Sequence, residues 1–340
     1  MFRLGIYVAL KINVAENNGR NGELKILQQL QKARTHSGTR HIQHLLDYFE
    51  HTGPNGTHTC LVLEILGCSV KDRAERFRDG RYPGHVARRI AKQVLRGLEY
   101  LHHQGVAHGD LHPANILFAI TDKLPTKEND VYQMLGKPVT AEVTRLDGDP
   151  TGVEVPKYLI EPTTFPAPTL DSEFQVKLTD LGEAFTEDIK PVSLHCPLVF
   201  RPPEVIFNDT WDHRVDTWSM GCTLFELIVG YPPFDNIFQT KEGLVREMIG
   251  FFGELPQRWK DQWQEMNRSH ANDHYELMSL EEWLRDTYFD DDKKQDLSQS
   301  DINSVGIILQ QMMRFEPTAR PSIGEILGNA WFRMDSPFPR

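Results

Sequence analysis

The first part of the chain has the hydrophobic pattern of short strands around one amphipathic helix. Residues 6–12 are mostly β-branched or apolar and predict a strand. Residues 22–33 place leucine and isoleucine at helical spacing and predict a helix. Two further apolar runs, residues 44–50 and 59–65, flank a turn signal rich in glycine and proline and predict two strands. Together these segments predict a small, mostly β region with one helix.

From Gly67 onward the apolar spacing becomes helical. Residues 85–105 repeat apolar side chains along one face, and Gly105 stands where such a helix would end. Residues 215–230 are apolar or small all round, which predicts a buried helix that Gly230 and the following prolines stop. The C-terminal part repeats the helical spacing. The larger region is therefore predicted to be mainly helical.

Residues 119–173 interrupt this helical order. The segment holds seven of the chain's 21 prolines, which exclude a regular helix or central strand over much of its length. It is predicted to be a surface insertion within the larger region. The division expected from the sequence is thus a small region of residues 1–66 and a large region of residues 67–340.

Composition and charge favour an acidic globular protein of the cytoplasm or nucleus. The chain has 48 acidic and 37 basic residues and a formal net charge of −11, which argues against nucleic-acid binding and suits cationic partners. The four cysteines lack metal-ligand spacing, and free thiols are typical of reducing compartments. Neither a signal region nor a membrane-span pattern is visible. We expect a monomer that binds neither nucleic acid nor membranes.

Polar residues with a spacing suited to phosphoryl transfer stand in the large region. Asp110 is followed five residues later by Asn115, and Asp180 follows a predicted strand. A carboxylate near an acceptor hydroxyl can take up its proton and direct its attack. Amide and carboxylate oxygens are hard ligands that suit Mg²⁺. Because ordinary surface turns can show the same spacing, the interpretation depends on the surrounding motifs.

Six motifs in a fixed order resemble those of eukaryotic protein kinases, beginning near Val8. The resemblance implies an α+β, bilobal fold with a small, mostly β N-terminal lobe and a large helical C-terminal lobe. VALK, which ends at Lys11, resembles the strand whose lysine binds the α- and β-phosphates of ATP. Glu23 resembles the partner of that lysine. Because a buried, unpaired lysine is costly, an ion pair between strand and helix is physically sensible.

The resemblance also implies roles for polar residues of the large lobe and for the hinge. Asp110 resembles the catalytic base, and Asn115 and Asp180 resemble the two magnesium ligands. The resemblance places adenine-contacting backbone groups at three hinge residues: Leu63, Glu64 and Leu66. An ordinary buried strand would show the same apolar pattern there, and both interpretations stay open.

Four further residues resemble parts of the platform that binds a protein substrate. Arg201 and Glu204 stand in RPPE, which resembles the APE motif. Asp216 begins DTWSMG, a motif whose aspartate would brace the catalytic-loop backbone. Arg320 resembles the arginine that pairs with the APE glutamate. These motifs argue against small-molecule kinases of the aminoglycoside and choline type, which share the catalytic-loop phrase HGDLHPANIL.

Within the protein kinases, the sequence resembles the kinases of serine/arginine-rich splicing factors in their fungal-like form. Three features carry this: the insertion before Asp180, the phrase DLGEAFTEDI and the hinge phrase LEILG. The resemblance implies ATP and Mg²⁺ as cofactors and a protein substrate rich in arginine and serine. An acidic kinase suits such a cationic substrate.

Three departures from the family pattern alter the expected activity. Only ten residues precede Lys11, too few for two strands and a glycine-rich loop over ATP, which predicts an N-terminally truncated lobe and weaker nucleotide binding. Gly109 replaces the arginine that, in the family, pairs with a phosphorylated activation segment. We therefore expect that no phosphate on this segment is needed to order the active site. His112 replaces a lysine and either donates to the γ-phosphate or faces solvent. The alternative function is a catalytically impaired pseudokinase or binding module.

Overall fold

The computed structural model describes most of the chain. The described residues are 6–15, 22–32, 36–77, 79–120, 124–125, 127–166, 168–170, 174–234, 240–268, 278–290 and 295–333. The strands are β1 (Ala9–Ile12), β2 (Leu45–Gly53), β3 (Gly56–Leu63), β4 (Leu66–Ser69), β5 (Ile116–Ala119), β6 (Thr140–Glu142), β7 (Tyr158–Ile160) and β8 (Val176–Leu178).

Helices dominate the larger, C-terminal part of the chain. One helix, α1 (Gly22–Lys32), lies in the small N-terminal part. The described helices of the C-terminal part are α2 (Val70–Ala74), α3 (Gly84–His103), α4 (Glu128–Leu135), α5 (Pro203–Ile206), α6 (Val215–Val229), α7 (Lys241–Phe252), α8 (Gln257–Met266), α9 (Leu280–Tyr288), α10 (Gln299–Met312), α11 (Ile323–Leu327) and α12 (Ala330–Arg333).

An antiparallel sheet of order β1-β3-β2 forms the small N-terminal part. The strand predicted at residues 6–12 begins only at Ala9, because its partner β3 ends at Leu63, directly opposite. The register also places Lys11 opposite Leu61 of β3. Helix α1, predicted for residues 22–33, buries its apolar face in the same cluster as Leu61. The sheet and helix therefore share one apolar core.

A second sheet, of order β4-β5-β8, positions the polar residues of the large part. Its strands β5 and β8 run antiparallel, with Ile116 opposite Leu178. Asn115 directly precedes β5, and Asp180 follows two residues after β8. Because the start of one strand lies beside the end of the other, both polar residues come to the same end of this sheet.

Helices α3 and α6 form the centre of the helical part and confirm the two long helix predictions. After α3 ends, Gly105 adopts a φ of +70°, and the Val106 N–H donates to the Leu101 carbonyl at 2.9 Å. This is the usual way in which a glycine closes the end of a helix. Helix α6 is buried almost throughout, and Gly230, with a φ of +102°, ends it.

The described residues between β5 and β8 form little regular structure. Its hairpin, β6 with β7, has exposed residues at every position, and α4 buries none. Helix α4 fits between Pro125 and Pro138, where the sequence has no proline. In the connection between β6 and β7, the Glu154 carbonyl accepts a hydrogen bond from Asn55 Nδ2 in the β2–β3 turn, at 3.3 Å. The segment between β5 and β8 therefore also contacts the N-terminal sheet.

A small β-rich N-terminal part and a large helical C-terminal part confirm the predicted α+β fold class. The four cysteines are buried and free, as their spacing predicted. Among the described residues, no helix combines the length and the apolar character needed to cross a membrane.

Candidate active site

Lys11 contacts two carboxylates that come from separate segments of the chain. Its ammonium group donates to Glu23 Oε1 at 2.8 Å and to Asp180 Oδ1 at 2.6 Å. Strand β1 supplies the lysine, the first turn of α1 supplies the glutamate, and the aspartate follows β8. The Glu23 side chain is 9% exposed, whereas that of Asp180 is 51% exposed. The cluster therefore opens to solvent on the Asp180 side.

Lys11 and Asp180 stabilise each other's charged forms, whereas burial raises the pKa of Glu23 despite its contact with Lys11. Burial would lower the pKa of the Lys11 ammonium group, but the Glu23 and Asp180 carboxylates outweigh burial and raise it. Burial would likewise raise the pKa of Asp180, but the hydrogen bond and charge of Lys11 outweigh burial and lower it. Both groups are therefore charged at neutral pH.

Asp180 has an unusual backbone conformation for a residue with a side chain. Its φ of 55° lies in the left-handed region, and its Oδ1 accepts a hydrogen bond from the Gly182 N–H at 3.3 Å. A Cβ at residue 182 would lie 3.1 Å from the same oxygen. Strained conformations of this kind are found at functional sites, where the surrounding structure enforces them.

Asp110 and Asn115 are joined by hydrogen bonds in the loop between α3 and β5. The Asn115 Nδ2 group donates to the Asp110 carbonyl at 2.9 Å and to Asp110 Oδ2 at 3.0 Å. The other carboxylate oxygen, Asp110 Oδ1, is buried without a hydrogen-bond partner among the described residues. His112 Nε2 lies 3.6 Å from that oxygen. One oxygen of Asp110 thus remains available as a hydrogen-bond acceptor.

A buried carboxylate on α6 holds the backbone of this loop. Asp216 accepts hydrogen bonds from the His108 N–H at 2.8 Å, the Gly109 N–H at 2.9 Å and His102 Nε2 at 2.8 Å. Burial would raise the pKa of Asp216, but the His102 hydrogen bond and charge lower it overall. The loop that carries Asp110 is thereby anchored to α6, which is buried almost throughout.

His108 connects the two segments that carry Asp110 and Asp180. Its Nδ1 accepts the Asp110 N–H at 3.3 Å, and its Nε2 donates to the Thr179 carbonyl at 3.0 Å. Burial lowers the pKa of His108. These partners require the neutral ring with its hydrogen on Nε2, an assignment made from the hydrogen bonds.

The residues of the proposed substrate platform form two sets of contacts. Arg320 donates to both carboxylate oxygens of Glu204, at 2.6 and 2.7 Å, and both side chains are almost fully buried. Arg320 also lies over the Trp218 ring. Arg201 donates twice to the Cys196 carbonyl, at 2.6 and 3.2 Å. The Arg201 contact thus closes a turn within the segment from Cys196 to Glu204, and Arg320 holds the Glu204 end of that segment.

The hinge residues lie between the two sheets: Leu63 ends β3 and Leu66 begins β4. Between them, the Glu64 N–H donates to the His44 carbonyl at 3.0 Å, and its carbonyl accepts Gln43 Nε2 at 3.0 Å. Both backbone groups of Glu64 are thus hydrogen-bonded within the protein. A contact between these hinge residues and adenine stays a prediction.

Some residues around the site were missed by the sequence analysis. Lys177 contacts Glu64, and His102 contacts Asp216. Lys177 could have been noticed, because a lysine within the apolar strand β8 signals a buried partner. His102 lies beyond the apolar run of α3 and gives no comparable signal.

Asp180 and Asn115 offer carboxylate and amide oxygens, which are the kind of ligand that Mg²⁺ prefers in proteins. The Asn115 amide nitrogen is engaged with Asp110, which leaves its Oδ1 as an acceptor. The Asp180 carboxylate is half-exposed and charged. Mg²⁺ is usually held by one or two protein carboxylates together with phosphates and water, so this donor set suits it.

Comparison with known families identifies the class of protein that this fold and site define. The protein kinase domain matches residues 4–128 and 169–332. The residues between these ranges, 129–168, lie within the predicted insertion. The chain belongs to the protein kinase family and is a phosphotransferase. This match favours protein kinases over the small-molecule kinases considered from the sequence.

Similar proteins carry kinase names that agree with the motif resemblance. Protein kinase dsk1 of Schizosaccharomyces pombe is 24% identical, over 96% of this chain and 76% of its own length. Serine/threonine-protein kinase SRPK of Physarum polycephalum is 27% identical, over 98% and 81%. Dual specificity protein kinase CLK4 of Homo sapiens is 26% identical, over 97% and 61%. The resemblance drawn from the motifs is confirmed.

Proposed function

We propose that this kinase transfers the γ-phosphate of ATP, bound with Mg²⁺, to serine or threonine hydroxyls of proteins rich in arginine and serine. The observation that carries the proposal is the contact of Lys11 with both Glu23 and Asp180. This contact brings Lys11, the proposed cation for the ATP phosphates, next to Asp180, the proposed metal ligand. The cluster is open to solvent on the Asp180 side. Phosphoryl transfer depends mainly on such positioning and on charge stabilisation.

The proposed roles follow from the geometry of the charged groups. Lys11, held by Glu23, binds the α- and β-phosphates. Asp180 and Asn115 hold Mg²⁺, which when bound neutralises charge on the transferred phosphoryl group. Asp110 accepts the proton of the substrate hydroxyl. As the hydroxyl oxygen bonds to the γ-phosphorus, the bond from phosphorus to the bridging oxygen breaks and ADP leaves.

The substrate and the nucleotide occupy different parts of the proposed site. We assign the adenine to the hinge at Leu63, Glu64 and Leu66, between a small lobe of residues 1–66 and a large lobe of residues 67–340. The substrate lies on the platform anchored by Arg201, Glu204, Asp216 and Arg320. The net charge of −11 supports a cationic protein substrate.

Phosphate transfer from Mg-ATP to an Arg/Ser-repeat peptide tests this function. The chain is compared with its Asp110→Asn variant, and a Glu/Ser-repeat peptide controls for substrate charge. We expect transfer to the Arg/Ser peptide that is lost in the variant, while ATP binding is kept. A folded chain that binds ATP without transferring phosphate would contradict the proposal and favour a binding module.

We further propose that the kinase acts as a monomer in the cytoplasm or nucleus. Four free, buried cysteines support a reducing compartment. Light scattering of the purified protein tests the monomer, and a mass of twice the 39.1 kDa of one chain would contradict it.

A further inference from the structure

A largely buried ion pair joins the hinge to the strand that precedes Asp180. Glu64 follows β3, and Lys177 is the middle residue of β8. The Lys177 ammonium group donates to both oxygens of the Glu64 carboxylate, at 2.6 and 2.7 Å. The two side chains are only 9% and 23% exposed. Because little water surrounds it, this pair interacts more strongly than a surface pair, and either charge would be costly to leave alone.

The loop that precedes β2 holds Glu64 from a second direction. The His44 N–H donates to Glu64 Oε1 at 2.7 Å. In return, the His44 carbonyl accepts the Glu64 N–H, and Gln43 Nε2 donates to the Glu64 carbonyl. The carboxylate and both backbone groups of Glu64 are therefore fixed by the protein, and the hinge has a defined position at this residue.

The same loop is also fixed to β8. The Gln43 N–H donates to the Leu178 carbonyl at 2.9 Å, and His41 Nδ1 donates to the Val176 carbonyl at 3.0 Å. The loop, the hinge and β8 thus form a closed set of contacts. The Glu64–Lys177 pair is the part of this set that connects the hinge directly to β8, only three residues before Asp180.

We propose that the Glu64–Lys177 pair is a positioning element that sets the adenine-binding hinge at a fixed distance from the metal-binding Asp180. Adenine and the γ-phosphate are opposite ends of one ATP molecule, so both ends must be held in one frame for productive binding. The proposal rests on the proposed roles of the hinge and of Asp180. The two charged side chains act through these neighbours and are positioning residues.

Equilibrium binding of ATP, without peptide, tests the pair in the Lys177→Met variant. Arg88→Met is a matched control, since Arg88 is similarly buried and pairs with Asp301 of α10 at 2.6 Å. Lys177→Met is expected to raise the Kd and KM for ATP about tenfold, with a smaller change in kcat, and to reduce the preference for ATP over GTP. Arg88→Met is expected to lower the Tm but leave the Kd for ATP unchanged. Lys177→Arg, which keeps the charge, is expected to bind ATP much more like the parent chain.

The outcomes separate this proposal from the proposed function. An unchanged Kd in Lys177→Met overturns the positioning role, and so does a rise in Kd that Arg88→Met shows equally. A parent chain that binds no ATP contradicts the proposed function before any substitution is made. If Lys177→Met does not fold, Glu64→Gln keeps the side-chain shape and is expected to show the same rise in Kd.

Discussion

Gly109 lies against the main-chain oxygen of Glu183: a Cβ at residue 109 would be 2.5 Å from that oxygen. Nearby, Ala107 and Phe185 exchange backbone hydrogen bonds of 2.8 and 3.0 Å. The His195 N–H donates to the Glu183 carboxylate at 3.2 Å. The segment that follows Asp180 is thus held by close backbone contact on the loop that carries Asp110. The contact lies at Gly109, the position where the family pattern has an arginine.

Gly109→Ala is therefore expected to lower stability and activity more than Gly105→Ala. Both glycines have a positive φ, +77° and +70°, and a Cβ in that conformation costs about 1–2 kcal/mol. A Cβ at Gly105 meets no described atom within 4 Å, whereas one at Gly109 must displace Glu183. We expect an additional loss of roughly 1–3 kcal/mol at Gly109. Urea unfolding and peptide phosphorylation measure both effects, and equal losses in the two variants would argue against the close contact.

Arg320→Met is expected to destabilise the fold strongly. The substitution leaves the Glu204 carboxylate buried without the two hydrogen bonds that Arg320 donates. Removing one member of a buried pair lowers the free energy of unfolding by about 3–5 kcal/mol. Thermal or urea unfolding measures the loss.

The matched control for Arg320→Met is Arg145→Met, which removes an exposed pair with Asp147 in the insertion and should leave unfolding unchanged. Adding Glu204→Gln to Arg320→Met should recover part of the loss, because it removes the uncompensated charge. A loss in Arg320→Met no larger than in the control would show that the pair does not stabilise the fold.

The long helices and the short functional motifs could be predicted from the sequence. The helices α3 and α6 followed from their apolar patterns, because such patterns need only local sequence. The start of β1 did not, because a strand extends only as far as its partner: β3 ends at Leu63, opposite Ala9. Helix α4 was missed because the prolines on either side dominate the composition of the insertion.

Within the site, too, local motifs were predictable from the sequence, whereas contacts between distant residues were not. Asp110, Asn115 and Asp180 stand in short motifs whose spacing carries the chemistry. The pair of Glu64 and Lys177 joins residues 113 positions apart, and that pairing depends on how the hinge packs on β8. A single sequence contains no local pattern that relates two such residues, so only the fold reveals their contact.

Lys11→Met is expected to weaken ATP binding and to lower kcat/KM by about 100-fold or more, because the phosphates lose their cation. Isothermal titration with ATP and steady-state kinetics measure the two effects. Lys32→Met, at the exposed end of α1, is the control and should behave like the parent chain. Unchanged affinity and rate in Lys11→Met would show that this lysine does not bind the phosphates.

His41 is expected to make the stability of the fold depend on pH. Burial lowers its pKa from 6.5 to about 4, so the folded chain binds this proton more weakly than the unfolded chain does. Neutral His41 therefore contributes roughly 3 kcal/mol to the free energy of unfolding. This contribution is fully present above pH 6.5 and is lost as the pH falls through the pKa of about 4 in the folded chain. His41→Gln removes the titrating group, so between about pH 7.5 and pH 4.5 its free energy of unfolding should fall less than that of the parent chain. Urea unfolding at both pH values tests this, and equal falls in the two proteins would show that His41 does not titrate with folding.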